Sequence, residues 1–133
     1  MELTFMGAAR CVTGSSTMIE TAGRKLLVDC GLRQGRDAKA VPMTDFTFNP
    51  KEIEVMLLTH AHIDHSGLIP LLVKKGFTGK IYCTDATARL CSIMFPDAGH
   101  VQEMEVEWEN RKRQRAGKPE IEPIYTVQDA MRA

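Results

Sequence analysis

The hydrophobic positions of this chain form short runs in its first half and helical patterns in its second. Short polar turns at 13–15 and 22–23 separate the first three runs, so an antiparallel meander is expected there. Two of the runs, LLVDCG and VMLLTH, stay apolar until a polar residue ends them, which is typical of strands buried on both faces. The predicted strands are Leu3 to Met6, Ser16 to Glu20, Lys25 to Cys30, Val55 to Leu58 and Lys80 to Cys83.

Helical spacing begins after the fourth predicted strand. A capping motif, Thr126-Val127-Gln128-Asp129, opens a last helix close to Ala133. A helix of about one turn is not stable alone, so we expect residues 1–133 to be the N-terminal part of a longer domain. From about Arg33 to Phe48 the periodicity disappears, and a long loop is expected. The predicted helices are Ser66 to Lys75, Thr84 or Asp85 to about Phe95, and Val101 to Ala116.

Composition limits the class of protein. The chain has 133 residues, 44% of them hydrophobic and 26% charged, which suits a single globular domain. No apolar run approaches the roughly 20 residues of a membrane span, and the first residues do not resemble a secretion signal. A cytoplasmic location without membrane contact is therefore expected. The net charge is zero, so overall charge does not attract the chain to nucleic acid.

The four cysteines are widely spaced and form no CxxC pair, which argues against a disulfide framework and against a zinc ribbon. Cys30 and Cys83 lie in or beside apolar runs, where a buried free thiol is expected.

Three of the four histidines lie within six positions, between a predicted strand and a predicted helix. His60 and His62 point to the same side of an extended backbone and can converge on one metal ion. Asp64 and His65 lie at the turn into the helix and can reach a second ion. Exposed loop histidines are the alternative explanation, but clustered imidazoles repel one another when protonated. The cluster therefore predicts a metal site; zinc suits this mixture of imidazole and carboxylate, and iron or manganese could also bind.

The segment HAHIDHSG resembles the HxHxDH signature of the metallo-β-lactamase superfamily. Further segments, GAARCVTGSS, LLVDCGLRQG, THAHIDHSGLIPLL and the stretch from 97 to 130, are similar to the β-CASP branch, whose members cut RNA or DNA. This resemblance implies an α/β fold: the N-terminal part of the αββα sandwich, with a mixed sheet and helices packed on it. It also implies that RNA is the substrate, DNA being possible.

The resemblance assigns roles to individual residues. It implies two zinc ions, the first held by His60 and His62 and the second by Asp64 and His65. Asp64 would also orient the attacking water and is the catalytic candidate. Asp29, at the end of LLVDCG, would brace the metal loop without binding metal.

Relatives take their remaining ligands from later strands and carry an inserted cap domain. His100 is the one further histidine of this chain, and Ala98-Gly99-His100 superficially resembles a ligand motif of the family. A charged helical pattern follows it, where the family motif leads into a strand. We therefore expect His100 at the entrance of the third helix and rank it last among the metal ligands.

Three functions remain open from the sequence. Metal-dependent RNA hydrolysis is the leading hypothesis, and a small-molecule hydrolase of the thioester type keeps the same fold. The third is an inert module that self-associates as a homo-oligomer. The basic run Arg111 to Arg115 follows four glutamates, which favours the solvated face of a charged helix over a phosphate contact.

Overall fold

A computed structural model describes residues 1–35, 38 and 45–133 of the chain. Five strands form one sheet in the order β1-β2-β3-β4-β5. The first three strands pair antiparallel, whereas β3–β4 and β4–β5 pair parallel, so the sheet is mixed. The five predicted strands and the predicted meander are confirmed. The strands are β1 Glu2–Gly7, β2 Ser16–Thr21, β3 Arg24–Val28, β4 Ile53–Leu57 and β5 Lys80–Tyr82.

Four α-helices follow β4: α1 Ile63–Ser66, α2 Ile69–Lys74, α3 Asp85–Arg115 and α4 Val127–Arg132. A short 3-10 helix, Pro50–Glu52, leads into β4. The predicted helix over 66–75 is instead two short helices, of which the first begins three residues earlier. The predicted end at Gly76 is confirmed, since this glycine has a φ of 104°, in the left-handed region. The capping motif at Thr126 is also confirmed.

The prediction of two helices between 84 and 116 is wrong, because α3 is continuous. Pro96 lies inside it and removes one backbone hydrogen bond. The buried face of α3 runs through Cys91, Phe95 and Gly99 on both sides of this proline. At Gly99 the helix approaches α4 so closely that a Cβ atom would lie 2.9 Å from the amide nitrogen of Val127. Packing on both sides of Pro96 thus outweighs the lost hydrogen bond.

The core lies on one face of the sheet. Leu27 and Met56 are fully buried there, in the same hydrophobic cluster as Leu72 of α2 and Phe95 of α3. On the opposite face, Leu57 of β4 remains 40% exposed. The prediction that the third and fourth strands are buried on both faces is therefore wrong, since helices cover only one face in the described part of the chain.

Three further predictions concern the long loop, the cysteines and membrane-spanning segments. The predicted loop from Arg33 to Phe48 lies partly outside the described residues, which omit 36–37 and 39–44. Cys30 is a buried free thiol as predicted, whereas Cys83 is exposed, since it follows the edge strand β5. Among the helices that the structure describes, none is long and apolar enough to cross a membrane.

Candidate metal centre

The candidate site lies where β3 and β4 end, at the same edge of the sheet. The two strands are parallel neighbours, so the residues that follow them come together. The amide of Asp29 donates to the carbonyl of Leu57 at 2.9 Å, which continues the pairing just beyond β3. Asp29 then has a φ of 58°, a left-handed conformation that is rare outside glycine. This turn places the Asp29 carboxylate beside Thr59 and buries it.

Helix α1 positions the second half of the cluster. His62 precedes its first residue, and the carbonyl of His62 accepts hydrogen bonds from the amides of His65 and Ser66, both at 2.9 Å. The buried Ser66 hydroxyl donates to the carbonyl of Ala61 at 2.9 Å, which fixes the chain between the two histidines. Asp64 and His65 therefore lie in the first turn of a helix, as the sequence predicted for the turn into a helix.

Backbone hydrogen bonds hold α1 in place, one from the residue before β2 and one from a residue that follows β3. Ser15 donates from its amide to the carbonyl of Asp64, and Cys30 donates to the carbonyl of His65, both at 2.8 Å. Gly31 packs so tightly here that a Cβ atom would lie 1.7 Å from the Asp64 carbonyl oxygen. The glycine is required by this close approach, because no side chain fits between the two segments.

His60 and His62 present one nitrogen each to a common point. The Nε2 of His60 and the Nδ1 of His62 are 3.2 Å apart, and the rings are nearly perpendicular, with an interplanar angle of 73°. Two nitrogens on one tetrahedral zinc ion, each about 2.0–2.1 Å from it, lie about 3.3 Å apart. The observed pair thus fits two ligands of a single zinc ion.

Asp64 and His65 form a second pair. The Oδ2 of Asp64 lies 3.7 Å from the Nε2 of His65, slightly more than two ligands of one zinc ion require. The two pairs are adjacent, since the His60 and His65 rings have centroids 4.1 Å apart. Both side chains of the second pair are about one quarter exposed, so the site opens to solvent.

Each pair supplies two ligands. Within the residues that the structure describes, no group of three histidine, cysteine or carboxylate side chains is placed to hold one metal ion. Cys30, next to Asp29, adds no thiolate. Burial, with a smaller contribution from the Asp29 charge, raises the pKa of its thiol well above the ordinary value and keeps it neutral.

Asp29 connects the two pairs. Its Oδ1 accepts a hydrogen bond from the Thr59 amide at 2.9 Å. Its Oδ2 accepts from the Thr59 hydroxyl at 2.9 Å and lies 2.8 Å from the Nδ1 of His65. The carboxylate therefore contacts Thr59 and His65 at three points, and the bracing role of Asp29 remains a prediction.

Two residues lie differently from what the sequence suggested. His100 is exposed in the middle of α3, not at a helix entrance, because α3 continues through Pro96. Thr59 was not predicted as a site residue, yet its hydroxyl lies 2.9 Å from the Nδ1 of His60 as well as from Asp29. Its position directly before the first histidine is the one signal that the sequence offered.

Comparison with known proteins adds a family. Residues 9–126 match the sequence profile of the Metallo-beta-lactamase superfamily. Over 98 residues the chain is 45% identical to Ribonuclease TTHA0252 of Thermus thermophilus. It is 35% identical over 98 residues to Transcription termination factor FttA of Methanocaldococcus jannaschii. Over 94 residues it is 34% identical to Cleavage and polyadenylation specificity factor 73 of Drosophila melanogaster.

These alignments cover most of this chain but a small part of each relative. They span 74%, 73% and 69% of the chain, against 22%, 16% and 14% of the three relatives in the same order. The aligned part of the chain thus corresponds to 22% or less of the length of each of these proteins.

Proposed function

The chain belongs to the metallo-beta-lactamase superfamily, in the β-CASP branch that its sequence predicts, and on that premise we propose that it forms part of a zinc-dependent ribonuclease. Residues 1–133 would be the N-terminal part of the metallo-β-lactamase domain. The observation that carries this proposal is the pairing of His60 with His62, whose facing nitrogens are separated as two ligands of one zinc ion are.

The donor set fits two metal ions. His60 and His62 would hold the first, Asp64 and His65 the second, and other parts of the natural protein would complete both. Zinc is well suited to a site that combines imidazole nitrogens with carboxylate oxygens. A pair of such ions acidifies water and stabilises negative charge on the oxygens of a phosphodiester.

The chain's own residues would orient the reactants. Asp64 lies on the first turn of α1 with its carboxylate one quarter exposed, so one oxygen can orient the attacking water while the other faces His65. Asp29 would keep His65 turned so that its Nε2 faces the site, because the Nδ1 is held by the carboxylate. The metal ligands and the carboxylate that would orient the water thus all lie between His60 and His65, at one edge of the sheet.

RNA is the proposed substrate because relatives with 34–45% identity are named as a ribonuclease and as a cleavage and polyadenylation factor. The chain has no net charge, so phosphate recognition would come from local groups and from the rest of the protein. A cytoplasmic location is proposed too, since the cysteines of the described residues are all free, as in a reducing compartment.

The test compares cleavage of a labelled single-stranded RNA with cleavage of DNA of the same sequence, using the natural protein and added zinc. We expect RNA to be cleaved, and Asp64→Asn and His62→Ala each to lower the rate by more than about 100-fold, beyond the usual effect of a residue outside the ligand set. His100→Ala, matched to His62→Ala in residue type but on the exposed side of α3, is the control. Equal rates for His62→Ala and His100→Ala would contradict the proposal, and faster DNA cleavage would overturn its choice of substrate.

A further inference from the structure

We propose that Thr59 is a positioning residue that fixes which ring nitrogen of His60 faces the metal. This inference rests on the proposed metal site and deepens it. A neutral histidine carries its proton on one of two nitrogens, and only the other nitrogen has a lone pair for a metal ion. A site that uses the Nε2 of His60 therefore requires the proton on Nδ1.

The hydrogen bonds of Thr59 determine where that proton is. The hydroxyl has one hydrogen, and it donates to the carboxylate oxygen Oδ2 of Asp29 at 2.9 Å. The hydroxyl hydrogen is therefore directed at Asp29. The Nδ1 of His60, 2.9 Å away on the other side, must then donate to the hydroxyl oxygen. His60 thus carries its proton on Nδ1, and its Nε2 has the free lone pair.

Asp29 fixes the third histidine of the cluster in the same way. The Nδ1 of His65 lies 2.8 Å from Oδ2 of Asp29, so it must also carry the proton and donate. One buried carboxylate therefore controls a histidine in each pair: His65 directly and His60 through Thr59. Both Nε2 atoms are left to face the proposed metal positions.

His62 differs from the other two histidines, because it is its Nδ1 that faces the neighbouring ring. Its Nδ1 lies 3.2 Å from the Nε2 of His60. Because that Nε2 has no hydrogen, the Nδ1 of His62 is the donor of the hydrogen bond between the two rings in the metal-free protein. If Thr59 lost its hydroxyl, His60 would be released and the pair could reverse, with Nε2 of His60 donating to His62.

The test reads the protonated nitrogen of each histidine in the metal-free protein by two-dimensional nitrogen–proton NMR. The spectrum is recorded under mildly basic conditions, and the nitrogen shifts of each ring show directly which nitrogen carries the hydrogen. The variants are Thr59→Val, which has the same shape without the hydroxyl, and Thr59→Ser, which keeps it. We expect His60 with its proton on Nδ1 in the native protein and in Thr59→Ser, and substantial Nε2 protonation in Thr59→Val.

His65 is the internal control, because Asp29 holds it without Thr59, and its proton should stay on Nδ1 in all three proteins. A His60 proton on Nε2 in the native protein, or on Nδ1 in Thr59→Val, would overturn the proposal. A shift of His65 together with His60 in Thr59→Val would mean that the loop has rearranged, and would equally count against a specific role of the hydroxyl.

Zinc affinity gives a second, independent readout. Removal of a group that orients a metal-binding histidine costs about 10–100-fold in affinity, which we expect for Thr59→Val and not for Thr59→Ser. If the native protein binds zinc, equal affinity of both variants would contradict the positioning role. The NMR result involves neither metal nor RNA, so a fixed His60 in a protein that binds no zinc would refute the proposed function and leave the role of Thr59 intact.

Discussion

Replacement of Asp29 tests how the candidate site is held together. Asp29 is 3% exposed, accepts hydrogen bonds from Thr59 and His65, and has a left-handed backbone with φ of 58°. Three substitutions separate these features. Asp29→Gly removes the carboxylate and suits the backbone, and Asp29→Ala removes the carboxylate and strains the backbone. Asp29→Asn keeps the shape of the side chain but replaces one acceptor oxygen with an NH2 group.

The magnitudes follow from the contacts. A hydrogen bond to a charged group contributes about 1.5–3 kcal/mol, and three are lost, but the burial of the carboxylate itself costs several kcal/mol. We therefore expect Asp29→Gly to lower the free energy of unfolding by about 2–3 kcal/mol. A left-handed alanine adds about 1 kcal/mol, so Asp29→Ala should be the less stable of the two.

Asp29→Asn has a different effect, because asparagine tolerates the left-handed backbone and still accepts from the Thr59 amide. Its amide hydrogens, however, would face the Thr59 hydroxyl and the Nδ1 hydrogen of His65. We expect a loss of about 2 kcal/mol together with weaker zinc binding.

The assay is urea unfolding of the metal-free protein followed by circular dichroism, with zinc affinity measured in parallel. Unchanged stability and unchanged zinc affinity of Asp29→Asn would refute the account of Asp29 as the brace of both pairs. Equal stability of Asp29→Ala and Asp29→Gly would refute the argument from the backbone conformation.

Two further predictions concern residues outside the proposed ligand set. Gly31→Ala would place a Cβ atom 1.7 Å from the carbonyl oxygen of Asp64, so we expect a fall in unfolding free energy of more than about 3 kcal/mol in the same assay, whereas Gly23→Ala, which meets no atom within 4 Å, should cost only about 1 kcal/mol. At Asp129 burial favours the neutral carboxyl, but hydrogen bonds from the helix cap and from Lys74 outweigh it and hold the pKa below its ordinary value. The folded-state pKa is depressed, so this contribution to stability is present above the unfolded pKa of about 3.9 and is lost as the pH falls through the lower folded pKa. Asp129→Asn should therefore reduce the drop in melting temperature between pH 6 and about pH 3, and an identical drop in both proteins would contradict this.

Much of the fold could be predicted because local patterns determine it. The strands follow from short apolar runs with turns between them, and Ala22-Gly23 adopts the left-handed φ values of 49° and 75° that a two-residue hairpin turn requires. The same holds for the cluster from His60 to His65, where alternation along an extended chain and then a helical turn place the side chains in two pairs.

The errors arose where tertiary contacts decide the outcome. The sequence predicted one helix ending at about Phe95 and another beginning at Val101, but the packing of Phe95 and Gly99 on either side of Pro96 keeps α3 continuous. The apolar runs of β3 and β4 predicted burial on both faces, yet what covers a sheet cannot be inferred from a strand alone.

Thr59 shows the same limit at the site. Its hydroxyl gains its role only from the position of Asp29, which lies 30 residues earlier in the chain. No local pattern in the sequence reports that contact.

The central claim, that the cluster from His60 to His65 binds metal, is tested most directly by measuring zinc bound per chain for the purified 133-residue protein before and after zinc addition. Each pair offers two ligands, so the account predicts weak binding of at most one zinc ion per chain, lost in His62→Ala and retained in His100→Ala. No zinc binding, or binding that His62→Ala leaves unchanged, would contradict the claim. Two tightly bound ions per chain, one of them lost in His100→Ala, would contradict the assignment of ligands and make His100 one of them.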